Sequence, residues 1–545
     1  MTAERKDKQE IDAISFDISQ LNSITFGRLE GERDPLLKDC FFPTRSVQKY
    51  LKTPYNYVLS PKGAGKSALF RSISDRYLHK SLFNYKKYAV IQVNEAFGFN
   101  DDYLNVEKFH EDSRMRLTIS WALYILIKII QDITNNRNDL NGYDDLLKEI
   151  KKIPELKGEL NLYNLRDFLK SISTAIKFTA NGQEFEVTPQ IKLGERTEKL
   201  VLNKIYKEIN DFYNRNDLTA FILIDRIDNF VQKEEYQLQR KYIQGLFDCI
   251  EEISLNDSIL PTMFLRTDLF YSYESDVEYD KVKDRTIELL WDKGETLNFL
   301  VYRLNHNEYI TSNFRNYLDG FLNEARQGKH RVFKEEHKNL WQKFICLFYK
   351  KGNGKTQLDT NRPFNYTVSD KYLKMFFPEK INFGMPMDFR EWVFEYLKDA
   401  NSFVNPRLLI YFFNKLIEQQ VEINIKFYPE KSEVSPIIIG DCIRYELFSE
   451  EAFNLTFKKV QQDELKNIFT IIKKKEFQEL FKIINLKSHE TGFFRYGDIN
   501  IKKLEIDKEL YESLIKYLKL LGFCVETEKQ KYEVPHIYRA KLDLI

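Results

Sequence analysis

The sequence predicts an α/β fold: a core built on a parallel sheet, then a helical lid, then a C-terminal winged-helix domain. Three observations predict it. A short apolar run, Tyr57 to Leu59, enters a glycine-bearing turn and then a helical pattern from Ser67 to Tyr77. A continuous apolar run, Thr219 to Ile224, ends in Asp225, the pattern of a strand buried on both faces. A third run, Ile259 to Leu265, ends in Arg266-Thr267-Asp268. Such strands, separated by helical patterns, form a parallel sheet whose ligand edge lies at the carboxyl ends of its strands.

A chain of 545 residues has room for about three or four domains and can bury large cores without disulfides. The expected division is an arm over 1–45, the α/β core over 46–310, the lid over 311–430 and the winged helix over 431–545. With 83 basic and 82 acidic side chains the net charge is +1, so no global excess argues for nucleic acid. The five cysteines, Cys40, Cys249, Cys346, Cys442 and Cys524, are scattered and read as reduced core residues. The seven histidines form no HExxH or HxxxH pair, so no transition-metal site is expected. Met1 to Ile14 has no apolar signal core. The most apolar window, Leu117 to Ile133, contains Ser120, Lys128 and Gln131 and reads as a buried helix. A cytoplasmic protein with no membrane partner is expected.

Within the arm, Asp17 to Ser23 reads as a short helix and Phe26 to Glu32 as a glycine-rich turn. That turn is either a plain connector or a wrap for a ligand beside the next element. Thr44 can cap a helix reaching Leu51. Next comes Ser60-Pro61-Lys62-Gly63-Ala64-Gly65-Lys66-Ser67-Ala68, between strand and helix as a phosphate-binding loop requires. The first turn of a helix has N–H groups without partners and a positive dipole end. Glycines let the backbone close around a phosphate chain. Lys66 can reach the β- and γ-phosphates of ATP, and the Ser67 hydroxyl can hold Mg²⁺. Ser60 stands where the G-x-x-x-x-G-K-[ST] pattern has its first glycine. The core is therefore a P-loop NTPase core.

Tyr88 to Val93 reads as a second strand, and helical patterns follow at 106–109, 115–133, 144–153 and 165–176. Phe178 to Val187 alternates around Asn181-Gly182, a hairpin inserted near 177–191. Leu200 to Tyr213 is helical by spacing. Asp225 then closes the second half of the site as a metal-binding acid, and Asp228 is the candidate general base for the attacking water. Arg266, at the polar end of a core strand, is a candidate γ-phosphate sensor, against a plain salt bridge to Asp268. Glu288 to Leu304 has helical spacing, with Arg303 as a trans-acting arginine or a surface residue. Residues 327–362 are polar and basic and read as an insertion.

Phe389 to Ala400 and Pro406 to Gln420 read as lid helices, with Pro406 at a first helical position. Arg407 then sits in the first turn, where a cation opposes the dipole, and this placement calls for an anion such as a nucleotide phosphate. From about residue 431, helical patterns at 445–448, 453–472, 477–484 and 509–521 precede a hairpin over 523–534. That order suggests a winged helix. Its Lys516, Lys519, Lys529 and Lys531 can contact DNA phosphates, or the module docks protein.

On these residues the chain resembles P-loop ATPases of the AAA+/STAND division, and more narrowly a bacterial group linked to DNA repair or anti-phage defence. The resembling stretches are FGRLEGE at 26–32, SPKGAGKSAL at 60–69, FILIDRID at 221–228, FLRTDLF at 264–270, the 291–303 helix and NPRLLI at 405–410. The resemblance implies that Lys66 and Ser67 are the Walker A pair, Asp225 the Walker B acid and Asp228 the second acid of a D-x-x-D. It makes Arg266 sensor 1 and Arg407 sensor 2. Arg226 stands where many AAA+ proteins carry the catalytic Glu. The implied activity is Mg-ATP hydrolysis coupled to conformational change or homo-oligomerisation, with a separate protein effector and DNA as a second partner through the winged helix. The rivals are a slowly hydrolysing nucleotide switch that regulates an effector, and a kinase, for which no acceptor site is visible.

Overall fold

The computed structural model describes residues 16–53, 55–78, 87–93, 114–151, 195–225, 236–273, 282–308, 310, 373–383, 385–427, 433–435, 437–439, 442–472, 475–499 and 508–543. They fall into two compact units. One comprises 45–62 and 69–289; the other comprises 1–44, 63–68 and 290–545.

The first unit is built on five parallel strands: β1 Tyr57–Ser60, β2 Tyr88–Val93, β3 Thr219–Ile224, β4 Ile259–Arg266 and β5 Thr286–Glu288. Their order across the sheet is β2-β3-β4-β1-β5. The strands are apolar because both faces are covered. One face packs under α3 Arg114–Asn136, α4 Glu195–Arg215 and α5 Tyr236–Ile253, with Tyr57, Leu59, Ile91, Ile222 and Met263 meeting Ile129, Phe212 and Leu246 in one apolar cluster. On the other face Phe264 meets Tyr50 of α1 Arg45–Lys52 and Phe70 of α2 Lys66–Ser74. This is the α/β core that the three apolar runs predict. The strand β5 is not in that prediction, which reads Glu288 onward as helix. Thr286–Glu288 instead pairs with β1, and the Leu289 N–H donates to the Leu59 carbonyl at 2.8 Å.

The second unit contains α6 Lys293–Asn305, α7 Phe389–Tyr396, α8 Pro406–Phe427, α9 Glu450–Ile471, α10 Lys475–Thr491 and α11 Lys508–Leu520. Three short strands, β6 Phe493–Arg495, β7 Val525–Glu528 and β8 Lys531–Glu533, form an antiparallel sheet in the order β6-β8-β7. One apolar cluster runs from Phe16 through Trp392, Phe413, Phe453 and Leu514 to Tyr538. Residues 16–44 are part of it. The Asn414 amide bonds both the Phe26 N–H and the Gly27 carbonyl at 2.8 Å, and the Asn307 amide does the same for Thr25. These bonds give an extended segment the partners its backbone needs.

Helix limits follow local chemistry. Asp292 and Glu295 form a capping box at the start of α6. Ser449 caps α9. Gly522, at φ +74°, ends α11, and the Phe523 N–H returns to the Leu518 carbonyl at 2.9 Å. Residues 445–448 are not helical as their spacing predicts. They are irregular, with Glu446 left-handed at φ +43° and the Tyr445 and Leu447 N–H groups bonded to the Met375 and Phe376 carbonyls. The helix predicted over 389–400 stops at Tyr396, where the chain enters a tight turn. Arg303 is neither exposed nor free to act in trans. It is buried, ion-paired to buried Asp34 and bonded to the Phe26 carbonyl at 3.3 Å. The hairpin near 177–191, the helical patterns at 106–109 and 165–176, and the basic segment 327–362 lie outside the described residues. No helix among the described residues is long and apolar enough to cross a membrane.

Candidate functional site: a phosphate-binding loop

The central strand β1 delivers the loop. Ser60 is its last residue and is fully buried, and its backbone is not left-handed, so this position does not need the glycine of the usual pattern. The two glycines that remain do the turning: φ is +87° at Gly63 and +105° at Gly65. Successive residues of alternating hand turn their N–H groups into a common concavity, which is an anion nest. A Cβ built on Gly65 would meet no described atom within 4 Å, so that side of the loop is open. Helix α2 starts at Lys66, nine residues long, and puts the amides of Lys66, Ser67 and Ala68 in its first turn.

Three residues of the second unit touch its loop segment 63–68. The Trp291 Nε1–H donates to the Ala64 carbonyl at 2.9 Å. A Cβ on Gly63 would lie 2.4 Å from Asn405 Oδ1, so Asn405 packs directly on the loop backbone. A Cβ on Gly31 would lie 3.1 Å from Ala68, so the arm at Gly31 lies against the first turn of α2. Asn405 also caps α8, accepting the Arg407 N–H at 2.9 Å. Pro406 is the first helical residue, as predicted, and Arg407 is exposed in the first turn. The Asn-Pro pair was the available signal for this cap. Gly31 lies in the turn weighed as a wrap for a ligand, and nothing in the spacing pointed to Trp291.

In the sheet unit, Ser60, Arg266 and Asp225 stand at the carboxyl ends of β1, β4 and β3, three neighbouring strands. With strands about 4.8 Å apart, the ends of β1 and β3 are roughly 10 Å from each other. Asp225 is buried. Arg266 forks Asp268, with Nη2 to Oδ2 at 2.6 Å and Nε to Oδ1 at 3.0 Å, which is the salt bridge weighed against its sensor role. Arg226 and Asp228 lie outside the described residues. The loop itself fits a phosphate: a nest between two left-handed glycines and the start of a helix.

No family model matches the chain, and no curated protein does. Among solved structures, the chain is similar to the Walker-type ATPase PABY2304 of Pyrococcus abyssi, at 13% identity and TM-score 0.34, over 91% of this chain and 93% of that one. It is similar to the ORC2 protein of Aeropyrum pernix, solved in ADPNP-ADP complexes, at 10% identity and TM-score 0.32, over 90% and 85%. Cdc6p from Pyrobaculum aerophilum follows at 10% identity and TM-score 0.24, over 92% and 93%. At such low identity and TM-score the likeness gives no residue of this chain a role.

The turn that leads to Asn405 holds a half-buried acid, Asp399. The Asp399 carboxylate accepts the Asn401 and Phe403 N–H groups at 2.9 Å, and Gly522 packs on it without room for a side chain. Burial pushes its carboxyl from 3.8 up to about 6, against the two backbone bonds that pull it down. The folded protein therefore holds this proton more tightly than the unfolded chain does. Its contribution to stability falls as pH rises from about 4 to about 6 and stays low above that. Asp399→Asn is expected to raise stability at pH 7.5 by about 1–3 kcal/mol and to leave it unchanged at pH 4. Urea unfolding at the two pH values checks this; an equal effect at both would contradict it.

Proposed function

We propose that this chain binds Mg-ATP at Ser60–Ala68 and hydrolyses it. The observation that carries the reading is a buried central strand running into two left-handed glycines and a helix that opens on Lys66-Ser67. Bound Mg²⁺ supplies charge neutralisation on the phosphates. The chain's own residues do the rest. The amides of Gly63 to Ala68 hold phosphate oxygens, Lys66 and Arg407 offset phosphate charge, and Ser67 and Asp225 are the magnesium ligands. Asp228 orients the water, and Arg266 senses the γ-phosphate by exchanging Asp268 for it. Because Asn405 touches the loop and caps α8, a change in the loop on turnover is passed to that helix. The setting we favour is bacterial anti-phage defence or DNA maintenance, with homo-oligomerisation on ATP and a separate effector.

For the C-terminal helices and hairpin, taken as a winged helix, charge favours a protein effector over DNA. Lys508 to Glu533 carries five lysines and five glutamates. Lys519 pairs with Glu526 at 3.2 Å and Lys531 with Glu528 at 2.8 Å, so two of the four lysines proposed for DNA phosphates already have acids beside them.

A slowly hydrolysing switch is the second reading, favoured by the Arg266–Asp268 fork and by Arg226 in the place of a catalytic Glu. Asp228→Asn separates the two. A turnover enzyme loses steady-state phosphate release by about 100-fold or more while keeping its affinity for Mg-ATP. A switch has little release to lose, and wild-type turnover indistinguishable from the variant would decide for it.

A further inference from the structure

The Trp291 contact goes further than packing. Ala64 lies between the two left-handed glycines, and its carbonyl accepts the Trp291 Nε1–H. The Ala64 carbonyl and the Gly65 N–H belong to one planar peptide, which is trans, since no described peptide bond is cis. In a trans peptide the two groups point in opposite directions. A donor that holds the Ala64 oxygen therefore aims the Gly65 N–H the other way. That N–H belongs to the residue where an added Cβ would meet no described atom within 4 Å. A loop with two glycines has many backbone states, and each fixed peptide lowers what a ligand must order.

The indole is itself held. Its ring lies edge-on to Phe299 at 5.4 Å and near Phe42 at 6.2 Å, and the next residue, Asp292, opens the capping box of α6. Trp291 is half-buried against the apolar cluster of its unit.

We propose that Trp291 is a positioning residue for the nucleotide: through its bond to the Ala64 carbonyl it sets the Gly65 peptide so that this N–H faces a bound phosphate. This rests on Mg-ATP binding at Ser60–Ala68. Two variants separate the donor from the bulk. Trp291→Phe keeps an aromatic ring without the N–H, whereas Trp291→His places a ring nitrogen close to where Nε1 stands and gives up bulk.

Calorimetric titration with Mg-ADP and Mg-ATP is expected to show about tenfold weaker binding for Trp291→Phe and binding within about twofold of wild type for Trp291→His. Excited at the indole band, the wild type is expected to change its emission on nucleotide addition and Trp291→Phe to lose that change. Equal affinities for wild type and Trp291→Phe, or equal losses in both variants, would overturn the proposal. So would an emission change that survives in Trp291→Phe. If Trp291→Phe does not fold, the affinity of Trp291→His decides: near wild type supports the donor, a tenfold loss rejects it. A wild type that takes up no nucleotide overturns the binding site as well. A wild type that binds, beside a Lys66→Ala that does not, leaves the site standing whatever Trp291 does.

Discussion

Lys66→Ala is expected to remove Mg-ATP binding while leaving the protein folded. Lys66 opens α2, directly after the second left-handed glycine, where the proposed nucleotide would need a cation for its β- and γ-phosphates. Hydrogen bonds to charged groups contribute about 1.5–3 kcal/mol each. Losing two of them, with the charge, weakens binding on the order of 100-fold or more. Folding should hold, because Lys66 is half-buried at a helix start and alanine is the best helix former. The measurement is calorimetry of both proteins with Mg-ATP, with thermal unfolding as the control. Identical heats would remove the loop from the nucleotide site, and a large drop in melting temperature would make the loss uninformative about binding.

Arg303→Met should give the largest change in stability. Its side chain is 4% exposed and that of Asp34 is 1% exposed, and the two form an ion pair inside the second unit. Asp34 also accepts the Arg28 and Leu36 N–H groups at 3.2 and 3.1 Å, and the Arg303 guanidinium stands 5.1 Å from the Phe299 ring. Removing one partner of a buried pair leaves the other charge without compensation, which costs about 3–5 kcal/mol. The pair Arg303→Met with Asp34→Asn should therefore lose less than Arg303→Met alone, although it carries one more change. Urea unfolding of the three variants reads this directly. A double variant weaker than the single would mean that packing, not the orphaned carboxylate, sets the loss.

What could be read beforehand followed from period and from turn chemistry. The strands β1, β3 and β4 are mostly apolar because helices cover both faces, and a run of that kind is visible in the letters. The loop was legible because its chemistry needs glycine, lysine and serine at fixed spacing. The edge strand Thr286–Glu288 was not, since three residues carry no period and its partner β1 is far away in sequence. Arg303 was misjudged for a related reason. Charge suggests the surface, and only a partner 269 positions earlier, Asp34, makes burial tolerable. Residues 445–448 have helical spacing but satisfy their backbone on 375–376, a tertiary choice that local pattern does not record. Around the loop, Pro406 marked the helix start that Asn405 caps and the turn at 26–32 was a candidate wrap, whereas Trp291 acts through a contact with no sequence rule behind it.

The assignment of residues 63–68 to one unit and of 57–60 and 69–74 to the other limits how the chain can be cut. A fragment spanning 46–289 would keep the whole sheet and every letter of the GKS motif. It would lack Gly31, Trp291 and Asn405, the three residues that brace the loop from outside. A piece that keeps the loop braced must therefore run from before Gly31 to past Asn405, and trimming to the motif-bearing half should leave the loop slack.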